Sequence, residues 1–174
     1  AASGIVAFGD ISRSQRSTID TSADMGGRIV IRAGQFTMED STLTAFSQAA
    51  QMMNGGEASA ISITAEHAAL HNGTYVSADT FGPAPAGTIT FNVRRLTTDG
   101  GPIRLQVTPE SRISDPILSQ TGVLIESTSR SVAATAGQAG HIVIRGWGGS
   151  GHLAETVSLD DTILHTRSFG GTAD

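Results

Sequence analysis

The residues whose types and spacing could do chemistry lie in separate short segments of this chain. His67 and His71 are four residues apart, which is the spacing that binds a metal ion on a helix. Their segment lies between two predicted strands, where that spacing does not place the rings as a helix would, and no third ligand is suggested. We therefore expect no metal site.

Two pairs of adjacent carboxylates are the next candidates, Glu39 with Asp40 and Asp160 with Asp161. Such pairs could supply the acid and base of a glycoside hydrolase or the ligands of calcium. Adjacent residues of a strand point to opposite faces, so neither pair can act together. Both pairs precede similar strand-like segments, which favours a turn. We predict no catalytic residue and expect that the chain is not an enzyme.

Residues 146–152 are rich in glycine and suggest a phosphate-binding loop. The chain contains no Lys, and no helical pattern follows the segment. We therefore expect a flexible corner and no cofactor. Trp147 is the best candidate for an exposed aromatic contact, able to stack on a sugar ring or a partner, although packing on its own loop is the alternative.

Composition excludes other classes of function. The chain of 174 residues has a formal charge of −5, eleven basic residues that are all Arg, and only one Trp and one Tyr. Nucleic-acid binding relies on clustered positive charge and stacking aromatics, so we expect no nucleic-acid partner. There is no Cys, no apolar run of about 20 residues and no signal peptide. We interpret the chain as one repeat segment, residues 1–174, excerpted from a longer protein.

The elements that must position these residues come from one recurring pattern. Residues 27–32, 60–64, 87–91 and 140–145 each carry a small residue and then alternating apolar side chains, which is the period of a strand with one buried face. Ile29, Ile61, Ile89 and Ile142 are separated by 32, 28 and 53 residues. Such periods indicate stacked repeats, and we interpret the longest as two repeats. The predicted inward-facing stack is Ile29, Ile31, Ile61, Ile63, Ile89, Phe91, Ile142 and Ile144.

Each repeat continues through a polar or glycine-containing turn into a second short strand, as at residues 39–45, 72–78 and 161–166. No helical periodicity appears, and the units are too short for the four-stranded blades of a propeller. The pattern therefore predicts an all-β fold, a parallel β-helix of about five to six coils in which aliphatic side chains form files. Residues 108–121 break the pattern and are predicted to be an irregular loop.

The chain resembles the repeat region of filamentous-haemagglutinin-like exoproteins, the adhesins of the two-partner secretion type. The matching pattern is Ala-Gly-x-Ile-x-Ile, then a turn containing Asn-Gly or Asp, and a short strand that ends in small residues. It is carried by residues 72–78, 86–89, 139–142 and 161–166, and it covers nearly the whole chain except about 108–121.

This resemblance implies a right-handed β-helix shaft that is secreted through an outer-membrane partner to the bacterial cell surface. The expected function is structural and adhesive, with attachment to cells or matrix through a surface glycan or a protein receptor. One alternative is a β-helix enzyme that acts on polysaccharides. Another is a self-assembling extracellular fibre subunit, whose partners are adjacent repeats or further copies of itself.

Overall fold

The computed structural model describes residues 3–7, 10–11, 17–24, 26–47, 59–101, 104–106, 117–119, 122–131 and 137–170. Within these ranges the chain forms strands and turns, and no helix there has the length and apolar character to span a membrane. The strands are β1 Ser3–Ala7, β2 Asp10–Ile11, β3 Thr18–Asp20, β4 Arg28–Met38, β5 Thr42–Thr44, β6 Ala60–His71, β7 Tyr75–Ser77, β8 Thr88–Asp99, β9 Arg104–Gln106, β10 Ile117–Ser119, β11 Val123–Ser129, β12 His141–Gly146, β13 Thr156–Asp160 and β14 Thr162–Ser168.

These strands form two parallel sheets that enclose one core. The larger sheet has the order β1-β4-β6-β8-β12, with β2 paired to β4 and β13 paired to β8. The smaller sheet has the order β14-β11-β7-β5-β3. Strands β9 and β10 form a separate antiparallel pair. The core lies between the two sheets and includes Ile61, Ile63 and Leu70 from one side and Val76 and Ile125 from the other.

Each strand of the larger sheet and the short strand that follows it form one layer. The described residues give five layers: β1, β2 and β3; β4 and β5; β6 and β7; β8 and β11; and β12, β13 and β14. Equivalent residues of successive layers lie side by side, because the strands pair in parallel without a shift in register. A file of such equivalent residues is called a column below.

The long strands bend at one position. Pairing is interrupted at Gly34, Glu66 and Arg94, and in each strand two consecutive residues there lie outside the core. At the bend, Arg94 bridges neighbouring layers, since its guanidinium lies 2.6 Å from the Glu66 carboxylate and 3.2 Å from that of Glu155. The strands therefore have two inward-facing segments joined at a charged corner.

The prediction of a single right-handed parallel β-helix of five to six coils was wrong. The strands instead divide between two parallel sheets, because the alternating segments predicted as separate strands run on through the bend into strands of 11 and 12 residues. The strands β3, β5, β7, β11 and β14 pair only among themselves in the second sheet. Alternation of apolar residues reveals which face is buried, but it does not reveal which strands share a sheet.

The interpretation of the 53-residue interval as two repeats was also wrong. Ile89 and Ile142 are direct neighbours in the register of β8 and β12, so the interval belongs to one layer. Its extra length is an excursion between β8 and β11 that contains the antiparallel pair of β9 and β10. Of residues 108–121, predicted as an irregular loop, the structure describes only Ile117–Ser119, which is a strand.

Candidate functional site

The predicted inward-facing residues occupy two neighbouring columns of the larger sheet. One column contains Ile29, Ile61, Ile89 and Ile142, and the other contains Ile31, Ile63, Phe91 and Ile144. In the second, third and fourth layers these side chains are fully buried. Ile142 and Ile144 in the last layer are only partly buried, although they pack against the same core. These residues support the fold, and their last members lie at its open end.

Trp147 lies in a loop that replaces a single bend residue. In the register of β8, Gly146 is the neighbour of Val93 and Thr156 is the neighbour of Arg95. Residues 147–155 therefore occupy the place that Arg94 alone fills in the layer beside them. The sequence indicated a corner here, but not that it would be an insertion into a continuous strand.

The loop is held by its own backbone and exposes two apolar side chains. The Gly146 amide donates to the His152 carbonyl at 2.8 Å, and the Gly149 amide donates to the Gly146 carbonyl at 2.8 Å. A side chain at position 148 would collide with the His152 ring. Trp147 is 46% exposed and Leu153 is 92% exposed. The loop therefore presents an aromatic and an aliphatic group to solvent from the side of the layers.

The two histidines do not form a site. His67 and His71 lie on β6, and the rise of an extended strand places residues four apart at about 13 Å. His67 is the register neighbour of Gln35 and Arg95, and His71 is the neighbour of Asp99. Among the described residues there is no group of three or more His, Asp or Glu side chains that could hold a metal ion.

The carboxylate pairs lie at turns between the two sheets. Asp40 and Asp161 have φ values of 48° and 43°, the left-handed region that Asp tolerates better than most residues. The Asp40 amide donates to the Asn72 carbonyl, and the Val123 amide donates to the Asp161 carbonyl. These pairs therefore turn the chain from one sheet into the other, at equivalent corners of different layers.

A buried charged cluster, which the sequence interpretation missed, lies where β7 and β11 end. We call Tyr75, Asp79, Glu126 and Arg130 the Asp79 network. The Arg130 guanidinium lies 2.6 Å from Asp79 Oδ2 and 2.6 Å from Glu126 Oε1, and the Tyr75 hydroxyl also donates to Glu126 Oε1. The Thr128 amide donates to Asp79 Oδ1 at 2.8 Å. Asp79 is completely buried, and Glu126 is almost so.

Burial governs the electrostatics of this network. It raises the pKa of Glu126, and the charge of Asp79 raises it further, against the opposing effects of Tyr75 and Arg130. Burial also raises the pKa of the Tyr75 hydroxyl, and both carboxylates add to that effect. For Arg130, burial lowers the pKa, but the two carboxylates outweigh it and hold the guanidinium charged. The network therefore places two carboxyl groups around one shared cation, Arg130.

The contacts of this network indicate a structural role. Both oxygens of Asp79 accept hydrogen bonds, and Glu126 is bound by Arg130 and Tyr75 while His165 Nδ1 lies 3.8 Å from its second oxygen. A general acid needs a proton directed at a substrate and a general base needs a lone pair so directed, whereas these groups are directed at each other. Asp79 and Arg130 lie 51 residues apart. The spacing of Glu126 and Arg130 at i and i+4 is the one sequence signal, and it would ordinarily indicate a helix.

Comparison with protein-family models, with curated protein sequences and with solved structures gives no significant match for this chain. The resemblance to filamentous-haemagglutinin-like exoproteins therefore depends on the residue pattern alone.

Proposed function

We propose that this chain is a structural and adhesive segment of a secreted bacterial surface exoprotein, and that it is not an enzyme. The layered sheets act as the rigid support, and the loop at residues 147–155 acts as the contact. Its receptor is a surface glycan or a protein of the cell or matrix. The secretion route through an outer-membrane partner belongs to the proposal by family resemblance.

The observation that carries the adhesive role is the exposure of Trp147 and Leu153 on a loop inserted into an otherwise continuous strand. Loops held by a rigid scaffold are where binding residues concentrate, and Trp is one of the side chains enriched among the residues that dominate an interface. An aromatic ring also offers a flat face for the apolar side of a sugar.

The rigid support follows from the packing of the middle layers. Ile61, Ile63, Ile89, Phe91 and Ile125 are fully buried. Burying a side chain of this size stabilises the fold by about 1.5–3 kcal/mol, so each layer holds its neighbours in place. A loop that begins and ends in these packed layers is held on a rigid scaffold.

The test is an attachment assay with beads coated with the purified chain, applied to cultured cells, to surfaces coated with matrix proteins and to a glycan array. Trp147→Ala is expected to reduce attachment to the bound surface by ~10-fold or more, because truncating a central aromatic typically costs 2 kcal/mol or more. Leu153→Ala should act in the same direction.

The matched control is Phe81→Ala, because Phe81 is 50% exposed and lies away from the loop, edge-on to Phe46 at 5.6 Å. If neither Trp147→Ala nor Leu153→Ala changes attachment, the assignment of the contact to this loop is contradicted. Binding to none of the surfaces would contradict the adhesive role itself.

A further inference from the structure

The outer face of the larger sheet carries positive charge before the bend. Successive residues of a strand face opposite sides, so the side chains that alternate with the buried isoleucines point away from the core. Arg28 and Arg32 do so in the second layer, and Arg145 does so in the last. We call this surface the arginine-edged face, and it consists of the outward side chains of residues 28–32, 60–64, 88–92 and 141–145.

The composition of the arginine-edged face differs from that of the whole chain. The chain has a formal charge of −5, whereas the arginine-edged face contains three Arg and no Asp or Glu. Glu66, two residues further along β6, is already paired with Arg94 at 2.6 Å. The side chains between the three arginines include four hydroxyl groups, those of Ser62, Thr64, Thr88 and Thr90.

The three arginines are not neutralised by the part of the chain that the structure describes. Arg28 and Arg32 are exposed and form no ion pair with a described residue. Arg145 Nε donates to Asn92 Oδ1 at 2.6 Å, and Asn92 Nδ2 donates to Thr64 Oγ1 at 3.2 Å. These hydrogen bonds hold the Arg145 guanidinium across three layers and leave its two Nη groups for another partner.

The spacing of the arginines suits a polymer. Arg28 and Arg32 are four residues apart on β4, which places their Cα atoms about 13 Å apart. Arg32 and Arg145 lie in one column, separated by three layer spacings, or about 14 Å. A small anion shared by two of them would have to hold two long side chains together, which costs side-chain entropy. A chain with repeated anionic groups contacts each arginine separately.

We propose that the arginine-edged face binds an acidic polysaccharide whose sugars carry carboxylate groups. A guanidinium binds a carboxylate through two parallel hydrogen bonds. The hydroxyls of Ser62, Thr64 and Thr90 both donate and accept, which suits the hydroxyl groups of a sugar. The arginine-edged face has no Phe, Tyr or Trp for stacking bases, and it lacks the four or more clustered basic residues typical of binding to anionic lipid.

The arginine-edged face lies on the side of the layers and not at their ends. Layers add to a sheet in the direction of its hydrogen bonds, whereas outward side chains stand perpendicular to the sheet. Strand β1 pairs with β4 in this way and continues the sheet without lying over its outer face. The arginine-edged face is also separate from the loop at residues 147–155, so the proposal does not depend on the adhesive role of that loop.

Isothermal titration calorimetry with two forms of one polymer tests the proposal. Polygalacturonate carries one carboxylate on each sugar, and its methyl ester has the same backbone without the charge. The purified chain is expected to bind polygalacturonate at least ~10-fold more tightly than the ester, because only the free acid pairs with the arginines. Added salt should weaken the binding, since exposed charges are screened. Alginate serves as a second carboxylated polymer.

Substitutions locate the binding on the arginine-edged face. Arg32→Gln and Arg145→Gln should each weaken the binding of polygalacturonate by about 5-fold, the effect of one exposed ion pair. Asn92→Asp keeps the shape of the side chain but adds a carboxylate beside Arg145, and it should abolish binding. The matched control is Arg167→Gln, which removes the same charge from β14 of the smaller sheet, where the guanidinium lies over the Phe169 ring. Circular dichroism checks that each variant is folded.

A charge-only polymer tests whether the sugar itself is recognised. Thr90→Val removes one hydroxyl at nearly constant shape, and it should weaken binding of polygalacturonate while leaving binding of polyphosphate unchanged. Polyphosphate that competes as well as polygalacturonate, together with an unaffected Thr90→Val variant, would overturn the proposal, because charge alone would then explain the binding.

The other contrary outcomes are equally definite. Equal affinity for polygalacturonate and its methyl ester, or equal losses in Arg167→Gln and Arg32→Gln, would overturn the proposal. No binding of polygalacturonate or alginate at about 1 mM sugar would do the same. Binding to vesicles of anionic phospholipid but to neither polymer would assign the arginine-edged face to a membrane instead. Trp147→Ala should leave the affinity for polygalacturonate unchanged, so this proposal and the adhesive role of the loop fail separately.

Discussion

At the residue scale, the Asp79 network joins two segments that are far apart in the chain. Asp79 follows β7, and its carboxylate binds the backbone at Thr128 and the side chain of Arg130, at the end of β11. A buried charge is costly unless it is paired and hydrogen-bonded, and here each carboxylate has both kinds of contact. The network therefore fixes where the chain leaves the smaller sheet in two adjacent layers.

Replacing Asp79 by Asn should destabilise the protein by about 1.5–3 kcal/mol, because it removes a buried hydrogen bond to the charged Arg130 guanidinium, which keeps Glu126 as its remaining partner. Glu66→Gln is the control, since it breaks the exposed ion pair with Arg94 and should cost no more than about 1 kcal/mol. Urea denaturation measures both changes in the free energy of unfolding. Equal effects of the two substitutions would show that the Asp79 network contributes nothing beyond a surface ion pair.

The raised pKa of Glu126 predicts a specific dependence of stability on pH. Its folded-state pKa lies above the ordinary value of 4.5, so the folded protein binds a proton that the unfolded chain has already lost. The stability contributed by this proton is fully present below pH 4.5, and it is lost as the pH rises through the folded pKa. Glu126→Gln should remove this fall, which denaturation at a series of pH values would measure.

In the same experiment, Asp20 should contribute the opposite dependence of stability on pH. Hydrogen bonds from the Ser22 side chain and backbone lower the pKa of Asp20 below 3.8, so its contribution is present above that pH and is lost as the pH falls. Asp20→Asn should therefore flatten only the acid side of the profile. A Glu126→Gln profile that matches the wild type would contradict the direction assigned to Glu126.

Little in the sequence could predict this network. Asp79 follows a run of small residues, and nothing near it distinguishes it from a surface acid. Its partners are brought together only when β7 and β11 pair, and that pairing depends on the fourth layer returning after its excursion. Spacing in the sequence suggested other candidates, namely His67 with His71 and the two pairs of adjacent acids. These residues are close in sequence, but the fold does not bring them together into one site.

At the element scale, the glycine that precedes a strand of the larger sheet is required by close packing. A Cβ at Gly140 would lie 1.9 Å from the Gly87 carbonyl oxygen and 2.0 Å from the Ser127 hydroxyl. A Cβ at Gly87 would lie 2.0 Å from the Ser59 carbonyl oxygen. At Gly87 and Gly140 the neighbouring layer therefore leaves no room for a side chain, which explains these two glycines of the repeated pattern, whereas the third layer carries Ser59 at the equivalent corner.

Gly140→Ala should destabilise the protein by at least about 2 kcal/mol, because the obstructing atoms include backbone that must move. The control is Ser59→Ala, at the equivalent corner of the third layer. The Ser59 hydroxyl is buried and has no hydrogen-bond partner among the described residues, so its removal should leave stability unchanged or raise it. Thermal denaturation compares the stability of the two variants. A Gly140→Ala variant as stable as the wild type would contradict the close contact between neighbouring layers at this position.

Strand positions were predictable where alternation was strong, and less so where the chain changes direction within a strand. The segments around Ile29, Ile61 and Ile89 carry a clear period of two, and each is a strand. At Glu66 and Arg94 two successive residues leave the core, which the pattern alone reads as the end of a strand. The length of the strands, and with it the division into two sheets, was therefore missed.

At the scale of the whole molecule, the interior columns could be predicted but the path of the chain between them could not. Aliphatic side chains such as Ile29, Ile61 and Ile89 bury the most apolar surface when they stack on one another. The register of the strands follows from that preference. An excursion costs little more as it lengthens, because the entropy of closing a loop grows slowly with length. The interval between Ile89 and Ile142 therefore carried no information about the number of layers.

Layered architecture also predicts a gradient of stability along the molecule. Strands β6 and β8 have neighbours on both sides and fully buried side chains, whereas β12, β13 and β14 have a neighbour on one side among the described strands. Each layer is stabilised mainly by the layers it touches, so an end layer opens at lower cost. Hydrogen exchange measured by mass spectrometry should be slowest in residues 60–71 and 88–99 and faster in residues 141–168. Uniform exchange across all layers would contradict the nearest-neighbour account, since it would mean that the sheets open as one cooperative unit.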